Sequence, residues 1–457
     1  MIRRIGPILL AMGMLCSACA WGQNDTGTAD NAPPTQPGPK PAFTYPDTTP
    51  SLDFLSEGIE NSSLTLGIGA GFAFDSNGYA NTPTTTTTQN RWLFNVAPSI
   101  RIQQFLPKIS WHLAYAGGLQ VYQPISGPAN SGSSNLFSQH ASAGLIWQMT
   151  RHWQLSADNR YTYSANPFDS YLSIPGSPSI NNPNPIAYLP LTRYELNSAV
   201  MTVTNQITKR DTLAFTGTSD LRRTSTYSVV TSVPFFNMVS YAGRVNYSHQ
   251  LTPRLSLGAG YDFNSLDFGH GQQRSGIQTI SFTGDYLIRP TMTISGWIGP
   301  EYTSTKDTVN LPIIGPVIAY TTLWSTAFGV NYGWQGQRNS LRAGYSRQVS
   351  DGGGITATTQ VNNVNAAYRR RLTDKLNFLL GMRYLHDASI TSSARTYDNI
   401  YGNIGFTYQF TKSFDATANY ARIHQSQSSA FIIGSRTYDD NRVGVSINYS
   451  WNHPLGR

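Results

Sequence analysis

Catalysis near neutral pH needs a base, a nucleophile or a metal held within reach of its partners, and in this sequence such residues are few and scattered. The eight histidines, His112, His140, His152, His249, His270, His386, His424 and His453, follow no metal-ligand spacing. The chain has no His-Glu-x-x-His, no phosphate loop and no Gly-x-Ser-x-Gly. His386-Asp387 is the only adjacent pair of the kind a hydrolase could use, and it reads as a solvated strand end. Gly67-x-Gly69-x-Gly71 looks like part of a nucleotide fingerprint, but it alternates with Leu66, Ile68, Ala70 and Phe72, as small residues on one face of a strand would. The expectation is a chain with no enzymatic activity, no cofactor and no bound metal.

Charge is the chemistry that remains. Asp158, Arg160, Asp220, Arg222, Arg244, Asp262, Asp285, Glu301, Arg342, Arg383, Asp415 and Arg442 alternate with apolar neighbours and are expected to line a water-filled lumen. Opposed guanidinium and carboxylate groups set up a transverse field that sorts ions and sugars, and an excess of Arg favours anionic solutes modestly. Cross-strand pairing that merely stiffens the wall is an equal alternative. Tyr122 and Tyr401 are candidates for stacking sugar rings. The net charge of +8 is spread strand by strand and forms no basic stripe, so nucleic acid is not an expected partner.

The scaffold for these residues follows from composition. Of 457 residues only 12% are charged, where an average soluble protein has about 25%. Aromatics reach 12%, with 26 Tyr and 20 Phe. After the opening segment no stretch approaches the roughly 18 consecutive apolar residues of a membrane-spanning helix. Aromatic and β-branched residues recur throughout, which excludes disorder for the bulk of the chain.

The N-terminus reads as a secretory signal over residues 1–20: Arg3 and Arg4, an apolar run from Ile5 to Leu15, then Ser17-Ala18-Cys19-Ala20. Cleavage after Ala20 is the main reading, with cleavage after Gly22 or lipid attachment at Cys19 as alternatives. Under the main reading Cys16 and Cys19, the only cysteines, leave with the signal. Residues 21–61 carry Pro33, Pro34, Pro37, Pro39, Pro41, Pro46 and Pro50 and are expected to form a disordered periplasmic segment. Leu52-Asp53-Phe54-Leu55 within it is a candidate turn or plug at the mouth of the next domain.

Residues 62–457 repeat one short pattern: Gln148-Met149-Thr150-Arg151, Gln206-Ile207-Thr208-Lys209, Gln250-Leu251-Thr252-Pro253-Arg254, Arg371-Leu372-Thr373-Asp374-Lys375 and Gln409-Phe410-Thr411-Lys412. Looser copies begin at Gln104, Leu287 and Trp334. Each suits a tight hairpin turn between two strands. Between them lie longer Ser-, Thr-, Asn-, Gly- and Pro-rich segments, 75–90, 123–136, 165–192, 265–274, 306–318 and 425–436, of which 165–192 is expected to fold into the lumen.

Strands such as Val443, Val445, Ile447, Tyr449 and Trp451 against Arg442, Gly444, Ser446, Asn448 and Ser450 have one lipid-compatible face and one too polar for a dry core. Short periplasmic turns alternating with long extracellular loops predict an all-β transmembrane antiparallel up-and-down barrel of about 18 strands. Sixteen is the alternative, because 193–205 and 358–370 alternate poorly.

With its signal segment, proline-rich start, repeated hairpins and final amphipathic strand, the chain resembles bacterial outer-membrane β-barrel proteins of the porin type over residues 62–451. It is similar, more loosely, to barrels associated with exopolysaccharide export, through Tyr438-Asp439-Asp440-Asn441-Arg442-Val443-Gly444-Val445. The resemblance implies location in the outer membrane, contact with its lipid, and passage of small hydrophilic or mildly anionic solutes. A role in exopolysaccharide export or envelope assembly is the alternative. It also implies recognition of the last strand by the barrel-insertion machinery, with Trp451 as the terminal aromatic although six residues follow it. A periplasmic or envelope partner would be met through residues 21–61.

Overall fold

The computed structural model describes residues 62–76, 90–125, 134–164, 192–226, 237–269, 271–311, 315–351, 358–390, 395–429 and 436–455. The expected signal, the proline-rich segment with residues 52–55, and most of the 165–192 loop lie outside them.

The described residues form eighteen strands: β1 (Ser63–Asp75), β2 (Arg91–Phe105), β3 (Ile109–Pro124), β4 (Ser134–Gln148), β5 (Trp153–Ser164), β6 (Thr192–Gln206), β7 (Asp211–Thr226), β8 (Met238–Thr252), β9 (Leu255–Phe268), β10 (Gln273–Arg289), β11 (Met292–Leu311), β12 (Gly315–Gln335), β13 (Asn339–Asp351), β14 (Thr358–Arg371), β15 (Leu376–Ser389), β16 (Arg395–Thr411), β17 (Phe414–Ser429) and β18 (Arg436–Pro454). Each pairs antiparallel with its neighbours in sequence, and β1 pairs with both β2 and β18, which closes the sheet into a ring. Closure leaves no sheet edge, the condition for a β structure to sit in hydrocarbon. Both poorly alternating segments are strands, β6 and β14, so the count is 18 and not 16.

All eight repeated patterns are the tight connections at one end of the ring, and the recurring Thr has a mechanical reason. Its hydroxyl accepts the backbone N–H groups that the turn removes from the ladder: Thr150 Oγ1 from His152 and Trp153 at 3.2 and 3.1 Å, Thr252 Oγ1 from Arg254 and Leu255 at 3.2 and 3.0 Å. Thr373 does the same for Lys375 and Leu376 at 3.2 and 3.0 Å. Such side-chain closure pins the hairpin and therefore its register.

At the other end two expected loops are corrected. Most of 265–274 and 306–318 is strand, because β9 runs to Phe268, β10 starts at Gln273, β11 reaches Leu311 and β12 starts at Gly315. Gly269 and Gly271 take φ of 60° and 94°, left-handed values that let four residues reverse the chain between β9 and β10.

The outward face is an apolar belt. Ile280, Phe282 and Ile298 are 53%, 63% and 55% exposed in mid-wall, values that make sense only if lipid covers them. Phe94, Phe137, Tyr241 and Trp324 lie about eleven residues from the tight turns, roughly 25–28 Å along the axis for tilted strands, and mark one girdle. Phe105, Trp147, Trp153, Tyr408, Phe410 and Trp451, close to the turns, mark the other. The spacing matches the apolar band of about 25 Å of outer-membrane barrels.

Candidate functional site: the inner face and its inturned hairpin

By register, all twelve charged residues singled out from the sequence stand on the face opposite the apolar belt. Arg160 Nε bonds Asp158 at 2.7 Å, with His112 Nε2 3.8 Å from the same carboxylate. Arg244 Nε lies 3.3 Å from Asp262. These are the two pairs formed within the set. Asp220 accepts from Ser240 at 3.3 Å, Arg383 donates to Asn363 at 3.1 Å, and Asp415 accepts from Asn448 at 2.9 Å. Asp285 faces Ser256 and Ser295 across its two ladders. Arg342, between Gly333 and Ala367 in register, is exposed on the inner side.

Arg442 belongs to a network that sequence reasoning missed. Asp75 Oδ2 accepts from Arg91 Nη2 and Arg442 Nη2, both at 2.9 Å, and all three side chains are at most 3% exposed. The register places Asp75 directly opposite Arg91 on one side and Arg442 on the other. Arg91 also lies over the Tyr122 ring at 4.3 Å. That ring, 2% exposed and packed with Leu93, is covered and offers no stacking surface. Tyr401 is likewise buried on the inner face. Asp75 fell at the edge of an expected loop, and nothing local in the sequence reveals a partner at position 442.

The glycine run Gly67, Gly69 and Gly71 also lies on the inner face, where a Cβ would collide with Ser99, Asn448 and Asn95. Crowding of the wall accounts for it. His386 and Asp387 point to opposite faces: Asp387 is buried inward, and His386 Nδ1 pairs instead with Asp398 at 2.8 Å.

The largest departure from a plain cylinder is at β13 and β14. β11 and β12 pair over twenty residues, whereas β12 and β13 pair over only eight, from Gln335–Ser340 to Phe328–Arg347. Beyond that point β13 leaves the wall and crosses the inner face of its neighbours. Val349 N donates to Glu301 Oε1 on β11 at 2.9 Å, and that oxygen also accepts from Ser325 at 2.9 Å. Asp351 Oδ2 meets Arg222 Nη1 on β7 at 2.5 Å, with both side chains at most 3% exposed. At the start of β14, Thr358 Oγ1 lies 2.5 Å from Ser275 Oγ on β10.

Val349, Asp351 and Thr358 share the side of the hairpin that would face lipid in a straight wall. Here that side presses on the inner wall, and Val349 seats among Met238, Leu266, Phe268 and Ile277, with Leu323 and Ile390 packed against the group. Glu301 and Arg222, two of the sequence candidates, are thus the anchors of an inturned hairpin.

A closed 18-strand antiparallel ring with an apolar exterior, aromatic girdles and a charged, hydroxyl-rich interior defines a transmembrane β-barrel of the bacterial outer membrane. No known family model matches the chain, and no curated protein sequence matches it. Among solved structures, the chain is similar to OccAB4 from Acinetobacter baumannii, at 12% identity over 86% of this chain and 99% of that one, with a TM-score of 0.41. The outer membrane protein opdK from Pseudomonas aeruginosa is 11% identical over 85% and 99%, TM-score 0.39, and the siderophore receptor PiuA from Acinetobacter baumannii 8% identical over 86% and 82%, TM-score 0.43. These likenesses are distant, and the barrel's class rests on its own register and outward belt.

Proposed function

We propose that the barrel is a passive or moderately selective outer-membrane channel that lets small hydrophilic or mildly anionic solutes diffuse through its lumen. The observation that carries this reading is the inner face: an 18-strand ring is wider than its side chains can fill, and this one turns Ser, Thr, Asn, Arg and carboxylates inward along every strand. The twelve lining candidates are six Arg and six carboxylates. Arg160, Arg222, Arg244 and Arg442 are held by carboxylates. Anion preference then depends chiefly on exposed groups such as Arg342, and is mild. Both readings of the charged set apply: pairing stiffens the wall, and what is left over biases the pore.

The inturned hairpin narrows the lumen on the side of the long loops and sets the size limit. The outward row Val443, Val445, Ile447, Tyr449 and Trp451 of β18, all exposed, supports recognition of the last strand by the insertion machinery. The alternative of an exopolysaccharide or envelope-assembly component depends on residues 21–61, which lie outside the described residues.

Single-channel conductance in a planar bilayer, with the reversal potential read under a salt gradient, tests the channel. Steady steps with a small anion bias are expected. A folded, inserted barrel that gives no steps would end this reading.

A further inference from the structure

Charge is divided unequally between the two ends of the barrel. Lys108, Arg151, Lys209, Arg254, Arg338 and Lys412 lie in six of the tight turns, and Arg289 and Arg371 end the strands that enter the other two, all of them exposed. None of these side chains enters an ion pair among the described residues. The carboxylate within these turns is Asp374, and Asp211 beside them is taken by Thr208, Tyr247 and His249. By contrast, the sequence that joins strands at the opposite end, 77–89, 126–133, 165–191, 227–236, 352–357, 391–394 and 430–435, contains a single charged residue, Asp169. The cations are far apart in the chain, and closure of the sheet is what gathers them into a ring.

The cations of the turns have apolar companions. Leu106, Ile207, Leu251, Leu372 and Phe410 are 39–53% exposed, and each is followed two or three residues on by a Lys or Arg. In the last four the residue after the apolar one is the Thr whose hydroxyl closes the turn, which fixes the spacing. This level is also that of the girdle residues Trp147, Trp153, Tyr408 and Trp451. At a membrane boundary an exposed apolar side chain stays in hydrocarbon, while a cation on a long stem beside it reaches the headgroups. A soluble anion would use the charge alone. A phospholipid presents phosphate and acyl chain in the same order as the turn presents cation and apolar residue.

From this arrangement we infer that the tight-turn end is a collar for anionic phospholipid of the periplasmic leaflet, of the phosphatidylglycerol class. The lipid phosphate sits against the Lys or Arg of a turn, and the first part of the acyl chain lies against the apolar residue that precedes it. The collar goes beyond contact with bulk lipid, because it selects by headgroup charge and at one end only. It needs the membrane barrel but not an open axial pore.

The test uses the tryptophan fluorescence of the full chain in phosphatidylcholine vesicles, since Trp111, Trp147, Trp153 and Trp451 all stand near this end. Quenching by dibrominated phosphatidylglycerol is compared with quenching by dibrominated phosphatidylcholine. A preference of about fivefold for phosphatidylglycerol is expected at low ionic strength, the factor that corresponds to one cation per lipid. It should fall close to unity in about 1 M salt, a series that needs no variant. Arg151→Gln, Lys209→Gln, Arg210→Gln and Arg254→Gln together, on neighbouring turns beside Trp147 and Trp153, should bring it below about twofold. Lys306→Gln with Arg422→Gln, exposed at the other end, should keep the parental preference, and heat-modified gel mobility checks that each variant is folded. Equal quenching by the two lipids in the parent chain would overturn the collar, as would a preference that survives the four turn substitutions. A matching loss in the Lys306 and Arg422 pair would also overturn it, by tracing the preference to net charge. So would displacement of phosphatidylglycerol by glycerol phosphate at constant ionic strength, since the ring would then be a site for soluble anions.

Discussion

The β9–β12 wall and the β13–β15 wall are neighbours built from the same hairpin unit, yet beyond the tight turns they diverge. β11 and β12 run for 20 and 21 residues and stay paired to their tips. β13, β14 and β15 are 13, 14 and 14 residues long, and the first two bend into the lumen. The difference lies in what each strand end meets. The upper part of β10 and β11 turns Ser275, Ile277, Thr303 and Thr305 inward, where they are buried, and Ser275 and Ile277 receive the hairpin. The end of β13 carries Val349, which gains by leaving water for an apolar seat, and Asp351, which exchanges its hydration for a guanidinium across the lumen. A strand end is straight or inturned according to whether its last side chains have partners inside.

Four substitutions probe that contrast. Arg222→Ala, which strands the buried Asp351 carboxylate, should cost about 3–5 kcal/mol in the equilibrium stability of the refolded barrel, because a buried ion pair missing one partner keeps its desolvation penalty. A loss under about 1 kcal/mol by urea titration in vesicles would mean that the hairpin is not anchored there. Phe282→Arg, on the lipid face of the straight wall, should cost roughly 2–4 kcal/mol by the same titration, as charges do at the midplane of such barrels.

Glu301→Gln keeps the shape but replaces the charged acceptor of the Val349 N–H. A loss of about 1–2 kcal/mol is expected, together with larger or noisier conductance steps as the hairpin loosens. Quiet steps of parental size would show that Val349 is held by its apolar seat alone. Lys306→Ala, exposed near the top of β11, should change stability by no more than about 0.5 kcal/mol, and a larger effect would make the upper hairpins part of the structural core.

How much of this was legible in the sequence depends on how local the cause is. Five of the eight turns could be read from a recurring Thr, whose hydroxyl bonds the backbone N–H groups two and three residues further on at Thr150, Thr208, Thr252 and Thr373 and two further on at Thr411. The lipid-facing strands could be read because hydrocarbon on one side and water on the other impose a period of two. The segments 265–274 and 306–318 read as loops because strand standing above the membrane in water has the composition of a loop. The inturned hairpin was invisible for a different reason. Val349 to Glu301 and Asp351 to Arg222 are contacts between strands that are not neighbours in the ring, and no periodicity within β13 records them. Arg222 and Glu301 could be named as inward charges, but their role as anchors could not.

The network of Asp75 with Arg91 and Arg442 has a kinetic consequence. Asp75 is in the first strand to be synthesised and Arg442 in the last, 367 residues later. Bringing ends that far apart together costs a flexible chain about 5 kcal/mol of loop-closure entropy, which no partial ring recovers. A contact of such high sequence separation forms late, so these three side chains come together only when the circle is complete. A chain lacking its last strand would leave the Asp75–Arg91 half of the network at an open edge, where proteases can reach it. The buried triad thus serves as a molecular receipt for finished assembly.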